Sequence, residues 1–294
     1  MIVSAMPRWA TERTGRESFA PLVVDVAQVL GLDLLPWQLQ VLDAALEHDD
    51  GRLAYRDVVV TVPRQGGKST MLLALLVWRM LAHPGQVIVF AAQSRLAARN
   101  KLFDDWWPLL KRSSVGNMFE LTRATGNEAL RCSNGSLLRI LSTDESSGHG
   151  ESVNLVLLDE CWALEPHTEQ AVRPAMVTKN NAQVWLVSTA GTSRSTWWRG
   201  KVDAGREAVG SQLRNGLAFF EWSAPGDADP ADEATWLAAH PALGSTISLE
   251  VFAADFAAME LREFRRSHLN QWPDDLGDAG WKVVDHDTWK AARL

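Results

Sequence analysis

The sequence predicts an α/β fold, a central and mostly parallel sheet flanked by helices. Three observations point there. Val58-Val59-Val60 is an apolar run of the kind that forms a buried parallel strand, and a glycine-rich turn separates it from Met71 to Leu81, a Leu- and Ala-rich stretch without Gly or Pro that reads as a helix. Further apolar runs recur at Val87 to Ala92, Val153 to Leu158, Val184 to Val187 and Leu217 to Trp222, with polar or helical stretches between them. The run at Val153 to Leu158 ends in Asp159-Glu160, two carboxylates where parallel strands carry their ligands.

At 294 residues the chain can bury a full core, and 46% hydrophobic with 22% charged residues is ordinary for a soluble globular protein. Two cysteines, Cys132 and Cys161, form no Cys-x-x-Cys or Cys/His cluster, which argues against a disulfide framework and a zinc site. No run of 18 apolar residues occurs, so neither a membrane span nor a signal peptide is expected. The net charge of −7 falls entirely in residues 226–294, which hold 6 basic and 13 acidic residues. The remainder is neutral, and a local basic patch there could still meet nucleic acid.

Taken in order, residues 1–20 read as a loosely held lead-in. Pro36 suits the first turn of a helix running to about His48. Within it, Trp37 could stack on a purine and the Gln38 amide could read an adenine edge; equally, the pair could be a core Trp beside an exposed Gln. After the second strand, Arg95, Arg99 and Lys101 lie on a helix whose basic side is either solvated or in contact with a DNA backbone. Asn134-Gly135 predicts a hairpin between Ala129 to Cys132 and Leu137 to Leu141. Ser142 to Ser152 reads as a loop. Pro225 to Pro230 is turn chemistry and sets the expected boundary between a core of residues 1–225 and a mostly helical subdomain of 226–294. In that subdomain, helices are expected at Ala231 to Ala239 and Leu249 to about Leu269, followed by an acidic linker at Asp274 to Gly280.

The chemistry concentrates at Arg64-Gln65-Gly66-Gly67-Lys68-Ser69-Thr70. Between a strand and a helix this is a phosphate-binding loop: the glycines let the backbone wrap close, and the helix start offers N–H groups and a positive dipole end. Lys68 is expected on the β- and γ-phosphates and Ser69 on Mg²⁺. Asp159 would hold the same Mg²⁺, and Glu160 would take a proton from the attacking water. Thr189, after the strand at Val184 to Val187, could respond to the γ-phosphate. Arg64 has two open roles, a γ-phosphate contact or an ion pair that holds the loop.

Together these residues resemble the ATPase domain of the large terminase subunit of tailed phages, the family of DNA-packaging motors. Arg64 to Ser69 resembles that family's phosphate loop, which often lacks the first Gly and so accommodates Val62. Trp37-Gln38 resembles its adenine motif, Leu155 to Glu160 its Walker B strand, and Ser188 to Gly191 its coupling motif. His240-Pro241-Ala242-Leu243-Gly244, Phe264-Arg265-Arg266 and Leu269-Asn270-Gln271-Trp272 resemble the signature closing its ATPase domain. The resemblance implies a P-loop NTPase of the additional-strand class with a small helical linker subdomain. It implies hydrolysis of ATP with Mg²⁺, coupled to movement of double-stranded DNA into a procapsid. It also implies a ring of copies on the portal, a small terminase subunit as partner, and the cytoplasm of an infected bacterium as the setting. Two departures stand out. No acidic cluster for the family's nuclease follows the linker. The loop at Ser146 to Ser152 offers His149 but no arginine, which leaves Arg139, Arg194, Arg199 or a partner chain to supply an arginine finger. The alternatives are another P-loop translocase such as a helicase, or an ATP-binding regulatory switch, the latter disfavoured by Glu160.

Overall fold

Strands that are apolar on both faces need helices on both sides of the sheet, and that is the arrangement found. The computed structural model describes residues 5–141 and 152–273. Its strands are β1 (Trp9–Ala10), β2 (Glu17–Ser18), β3 (Glu47–Asp49), β4 (Arg52–Leu53), β5 (Asp57–Thr61), β6 (Val87–Ala91), β7 (Phe119–Thr122), β8 (Ala129–Cys132), β9 (Leu137–Ile140), β10 (Leu155–Asp159), β11 (Gln183–Ser188) and β12 (Leu217–Glu221). Its α-helices are α1 (Ala20–Val29), α2 (Pro36–Ala45), α3 (Lys68–Ala82), α4 (Arg95–Asn100), α5 (Trp107–Arg112), α6 (Pro166–Val172), α7 (Thr196–Gly210), α8 (Glu233–Ala239), α9 (Leu249–Ala258) and α10 (Leu261–His268). A π-helical turn at Lys101–Trp106 joins α4 to α5.

Among the described residues the main sheet has nine strands, in the order β1-β12-β5-β11-β10-β6-β9-β8-β7. From β12 to β9 the strands are parallel, and the two ends of the sheet are antiparallel. The strand after the glycine-rich loop's own β5 is β6, yet β11 and β10 lie between them. That inserted β11 is the additional strand of the predicted class.

Alternate residues along each strand serve opposite cores, as the period of two requires. Val58, Val60, Leu155, Leu157, Trp185, Val187, Ala218 and Phe220 face one apolar cluster, which α1 to α5 cover. Val59, Val156, Leu158, Val184, Leu186 and Phe219 face the other, under α6 and α7. A third cluster, built on Trp236, Phe252, Phe264 and Leu269, belongs to the C-terminal helices.

Several boundaries differ from expectation. Of the expected lead-in, residues 5–20 are less loose than expected: β1 pairs with β12, and Ala5 O accepts the Trp222 indole N–H at 2.9 Å. The helix at Pro36 stops at Ala45, because Glu47–Asp49 pairs with β2 and β4. The single helix expected from Leu249 to Leu269 is two, broken where Glu260 turns extended and its carboxylate caps α10 at Glu263 N–H. The expected hairpin forms, with Gly135 at φ 90°. Residues 142–151 of the expected loop, His149 among them, and the linker at Asp274 to Gly280 lie outside the described residues.

Candidate active site

The glycine-rich loop leaves the carboxyl end of β5, and Val62 N–H still bonds Ser188 O at 3.0 Å as a last rung toward β11. Gln65 and Gly67 both take positive φ, 56° and 98°, which wraps the backbone into a cradle ahead of α3. At Gly67 a side chain is doubly excluded: the conformation disfavours one, and a Cβ would sit 2.8 Å from Gln38 Nε2. The helix begins at Lys68, so the N–H groups of Lys68 and Ser69 have no carbonyl within the helix to bond, while Thr70 N–H donates back to Gly67 O at 3.1 Å. Lys68 itself is buried, and its ammonium donates to Pro63 O within the loop at 3.2 Å. A phosphate entering the cradle would offer that cation a stronger, charged acceptor.

Trp37 and Gln38 do reach the loop, but not as expected of a base platform. Trp37 is 1% exposed and packs edge-on against Trp222, while its indole N–H donates to Gly66 O at 2.9 Å. The Gln38 amide donates to Gly67 O at 2.6 Å and accepts from Leu35 N–H at 2.6 Å. Both side chains hold the loop's backbone from behind. Stacking by Trp37 on a purine is therefore corrected to positioning, for the physical reason that its faces are buried in the core. Gln38, 1% exposed, is likewise not the exposed residue of the second reading.

Asp159 closes β10, two strand spacings from β5, or about 10 Å across the sheet. Its carboxylate is buried and accepts Glu160 N–H at 2.9 Å. Burial pushes the carboxyl up to about 6; the neighbouring Glu160 charge adds to the rise and the Lys68 ammonium opposes it. Glu160 sits at φ 54°, a left-handed conformation that costs a non-glycine residue on the order of 1 kcal/mol or more. That turn reverses the chain straight after the strand. The Glu160 carboxylate is held by the Trp162 indole N–H at 2.7 Å. Trp162 N–H in turn donates to Ser188 Oγ at 3.0 Å, and Ser195 Oγ donates to Trp162 O at 2.6 Å. Sequence reasoning does not single out Trp162; its place two residues after Glu160 is the available signal.

Thr189 does not face the cradle. It is fully buried, and its hydroxyl donates to Asn270 Oδ1 at 3.2 Å, so its link is to the C-terminal segment. The same segment grips Arg64. Arg64 N–H donates to Ser267 O at 2.8 Å, and Arg64 O accepts from His240 Nε2 at 2.9 Å. The Arg64 guanidinium lies 3.5 Å from Glu263 and 6.0 Å from the Trp162 ring, with Arg266 also over that ring at 5.1 Å. Of the two open roles for Arg64, the ion pair is the one seen. The Arg64 side chain is 44% exposed in this pair. His240 and Asn270 belong to the resembling motifs, but no spacing rule assigns them these partners.

Ser69 and Asp159 supply a hydroxyl and a carboxylate, hard oxygen donors suited to Mg²⁺. Among the described residues no cluster of three or more His, Cys, Asp or Glu could cage a metal alone. The donor set thus fits an ion that keeps water and phosphate oxygens as its other ligands.

The basic residues of α4 and the turn after it are tied to acids and rings of their own lobe. Arg95 bonds Glu128 at 2.5 Å, Arg99 lies over Phe103, and Lys101 pairs with Asp105 at 2.7 Å. Of the finger candidates, Arg199 pairs with Asp203 at 2.9 Å and covers the Trp272 ring, and Arg139 lies on β9. Arg194 lines a cleft of about 540 Å³ together with Trp162, Glu165 and Trp197, beside the Glu160 turn.

The model of the family described as "Terminase large subunit, ATPase domain" matches residues 48–203. No curated protein sequence matches the chain. Among solved structures, the HK97 bacteriophage large terminase superposes with a TM-score of 0.74 at 22% identity, covering 87% of this chain and 55% of that one. The large terminase ATPase domain of Thermus phage P74-26 gives 0.58 at 17% identity, covering 83% and 96%. The large terminase of a thermophilic bacteriophage, in complex with ATP-gamma-S, gives 0.56 at 12%, covering 82% and 53%. At these identities the likeness is one of fold. The chain spans about half the length of the HK97 protein it matches.

Proposed function

This chain belongs to the family of terminase large subunit ATPase domains, and from that premise we propose that it is the ATP-hydrolysing motor part of such a subunit, moving double-stranded DNA into a procapsid. The observation that carries the catalytic assignment is the placement of two loops. The Lys68 loop and the Asp159-Glu160 turn stand at the carboxyl ends of β5 and β10, with β11 between them. A triphosphate in the cradle lies between the two.

In this reading the backbone N–H groups of Gln65 to Ser69 and the Lys68 ammonium hold the β- and γ-phosphates. Ser69 and Asp159 would hold Mg²⁺, which supplies charge neutralisation to the phosphate oxygens when bound. The Glu160 carboxylate takes a proton from water as the water oxygen bonds to the γ-phosphorus. The bond from that phosphorus to the bridging oxygen breaks, and the electron pair leaves with ADP. Arg64 turns from Glu263 toward the γ-phosphate, where negative charge needs a cation. Gly66, Gly67 and Thr70 shape the loop and the helix start. Trp37, Gln38 and Thr189 hold these parts from behind.

The partners that fit are linear duplex DNA, further copies in a ring on the portal, and a small terminase subunit, in the cytoplasm of an infected bacterium. No described helix is long and apolar enough to cross a membrane. The division into a core at 1–225 and a linker subdomain at 226–294 is supported by the separate apolar cluster around Trp236 and Phe252. Steady-state phosphate release, measured with and without linear duplex DNA, tests the proposal. Turnover that depends on Mg²⁺ and rises with DNA is expected. Turnover blind to DNA would leave an ATPase without the motor function.

A further inference from the structure

Asn270 follows α10 at φ 53°, 1% exposed. An Asn in the left-handed conformation after a helix is an ordinary cap, which accounts for its backbone. It does not account for its side chain. Nδ2 donates to Trp222 O at 2.7 Å and to Thr61 Oγ at 3.0 Å. Oδ1 accepts from Ala190 N–H at 2.5 Å and from Thr189 Oγ at 3.2 Å. One amide thereby joins the carboxyl ends of β12, β5 and β11, all three buried at that point. Thr61 is the last residue of the strand that delivers the phosphate loop. Thr189 follows Ser188, which holds Trp162, which holds Glu160.

We propose that Asn270 is a positioning residue that sets the spacing between the phosphate loop and the Glu160 turn, acting through Thr61 on one side and through Thr189, Ser188 and Trp162 on the other. The proposal rests on the ATPase reading above. It makes the C-terminal segment part of the active site without any contact to nucleotide. Arg266 reinforces the same path, donating to Ala190 O at 3.0 Å while lying over Trp162.

The mechanism predicts a split between binding and turnover. The cradle is built by Trp37, Gln38 and the glycines, so it survives loss of the amide. The distance from the bound phosphate to Glu160 does not, and misplacement of a catalytic group by about 1 Å costs on the order of 100-fold. Asn270→Gly keeps the left-handed backbone and removes the amide. Expected for the full chain is kcat down by about tenfold to a hundredfold, with ADP affinity by titration within about threefold of wild type. Thr189→Val should show a smaller fall of the same kind, and Thr189→Ser should restore wild-type turnover. Adding Thr189→Val to Asn270→Gly should cost less than the product of the two single losses, since both cut one path.

Wild-type turnover in Asn270→Gly would overturn the inference and leave the ATPase reading intact. So would a parallel loss of ADP affinity and kcat, the mark of a purely structural role. If Asn270→Gly does not fold, Thr61→Val and Thr189→Val carry the same test from the other ends of the amide, and normal kcat in both would overturn it. A wild-type chain with no turnover above that of Lys68→Ala would remove both the inference and the reading beneath it.

Discussion

Lys68 is a side-chain cation buried within the loop, parked on a backbone carbonyl that a phosphate would replace. Lys68→Ala should abolish hydrolysis and weaken ATP binding, read by phosphate release and by nucleotide titration; near-normal turnover would end the phosphate-loop assignment. Trp37 separates two roles more finely. Trp37→Phe removes the N–H on Gly66 O and keeps an aromatic in the core. If Trp37 holds the loop, affinity for ATP and GTP should fall by the same factor, about threefold to tenfold for one lost hydrogen bond. A change in the ratio of ATP to GTP affinity would restore the base-stacking role. At this scale the sequence is legible where chemistry is local. Gly66, Gly67, Lys68 and Ser69 are contiguous, and Asp159-Glu160 is marked by the strand before it. Trp162 and Asn270 are not legible in their roles. The bonds from Asn270 to Thr61 join positions 209 residues apart, and no spacing rule reaches that far.

His240 connects α8 to the phosphate loop, and its titration reports on that junction. Nε2 donates to Arg64 O and Nδ1 accepts Ala242 N–H, which fixes a neutral ring. Burial first, and then the charges of His268 and Lys68, push it down to about 4, while the hydrogen bond to Arg64 O works the other way. The folded chain thus binds fewer protons at this ring than the unfolded chain does between about pH 6.5 and 4. Stability from His240 is complete above about pH 6.5 and is lost as pH falls through that window, up to about 3 kcal/mol in all. His240→Gln, which cannot titrate, should lose less melting temperature than wild type between about pH 7.5 and 5. Parallel curves would contradict the assignment. The elements themselves are largely readable. Strands β5, β6, β10, β11 and β12 show as apolar runs because both of their faces are buried. The break at Glu260 escapes the sequence because Leu249 to Leu269 lacks Gly and Pro, and the stop is made by an acidic cap. The pairing of β1 escapes it because a two-residue strand carries no periodicity.

For the whole molecule, the order of strands follows from the class of fold, while the proposed ring depends on surfaces that a single chain does not specify. In the proposed ring, a finger supplied in trans would complete each site, and activity would rise as sites pair. Arginine fingers are worth on the order of 10³–10⁵ in rate. Specific activity should therefore rise with protein concentration, or with duplex DNA and ring-forming partners. Arg194, on the cleft beside Glu160, is the first candidate for contact across that junction. Fast turnover at nanomolar chain, independent of concentration, would place the finger in cis and return attention to Arg64. The central claim is that Glu160 is the base at a site whose binding half is the Lys68 loop. Glu160→Gln keeps the shape of the side chain and a partner for the Trp162 N–H, and removes the proton acceptor. The direct test is ATP affinity and single-turnover hydrolysis measured side by side in this variant. Affinity near wild type with the hydrolysis rate down by about 100-fold or more is the expected result; equal losses in both, or an unchanged rate, would contradict it.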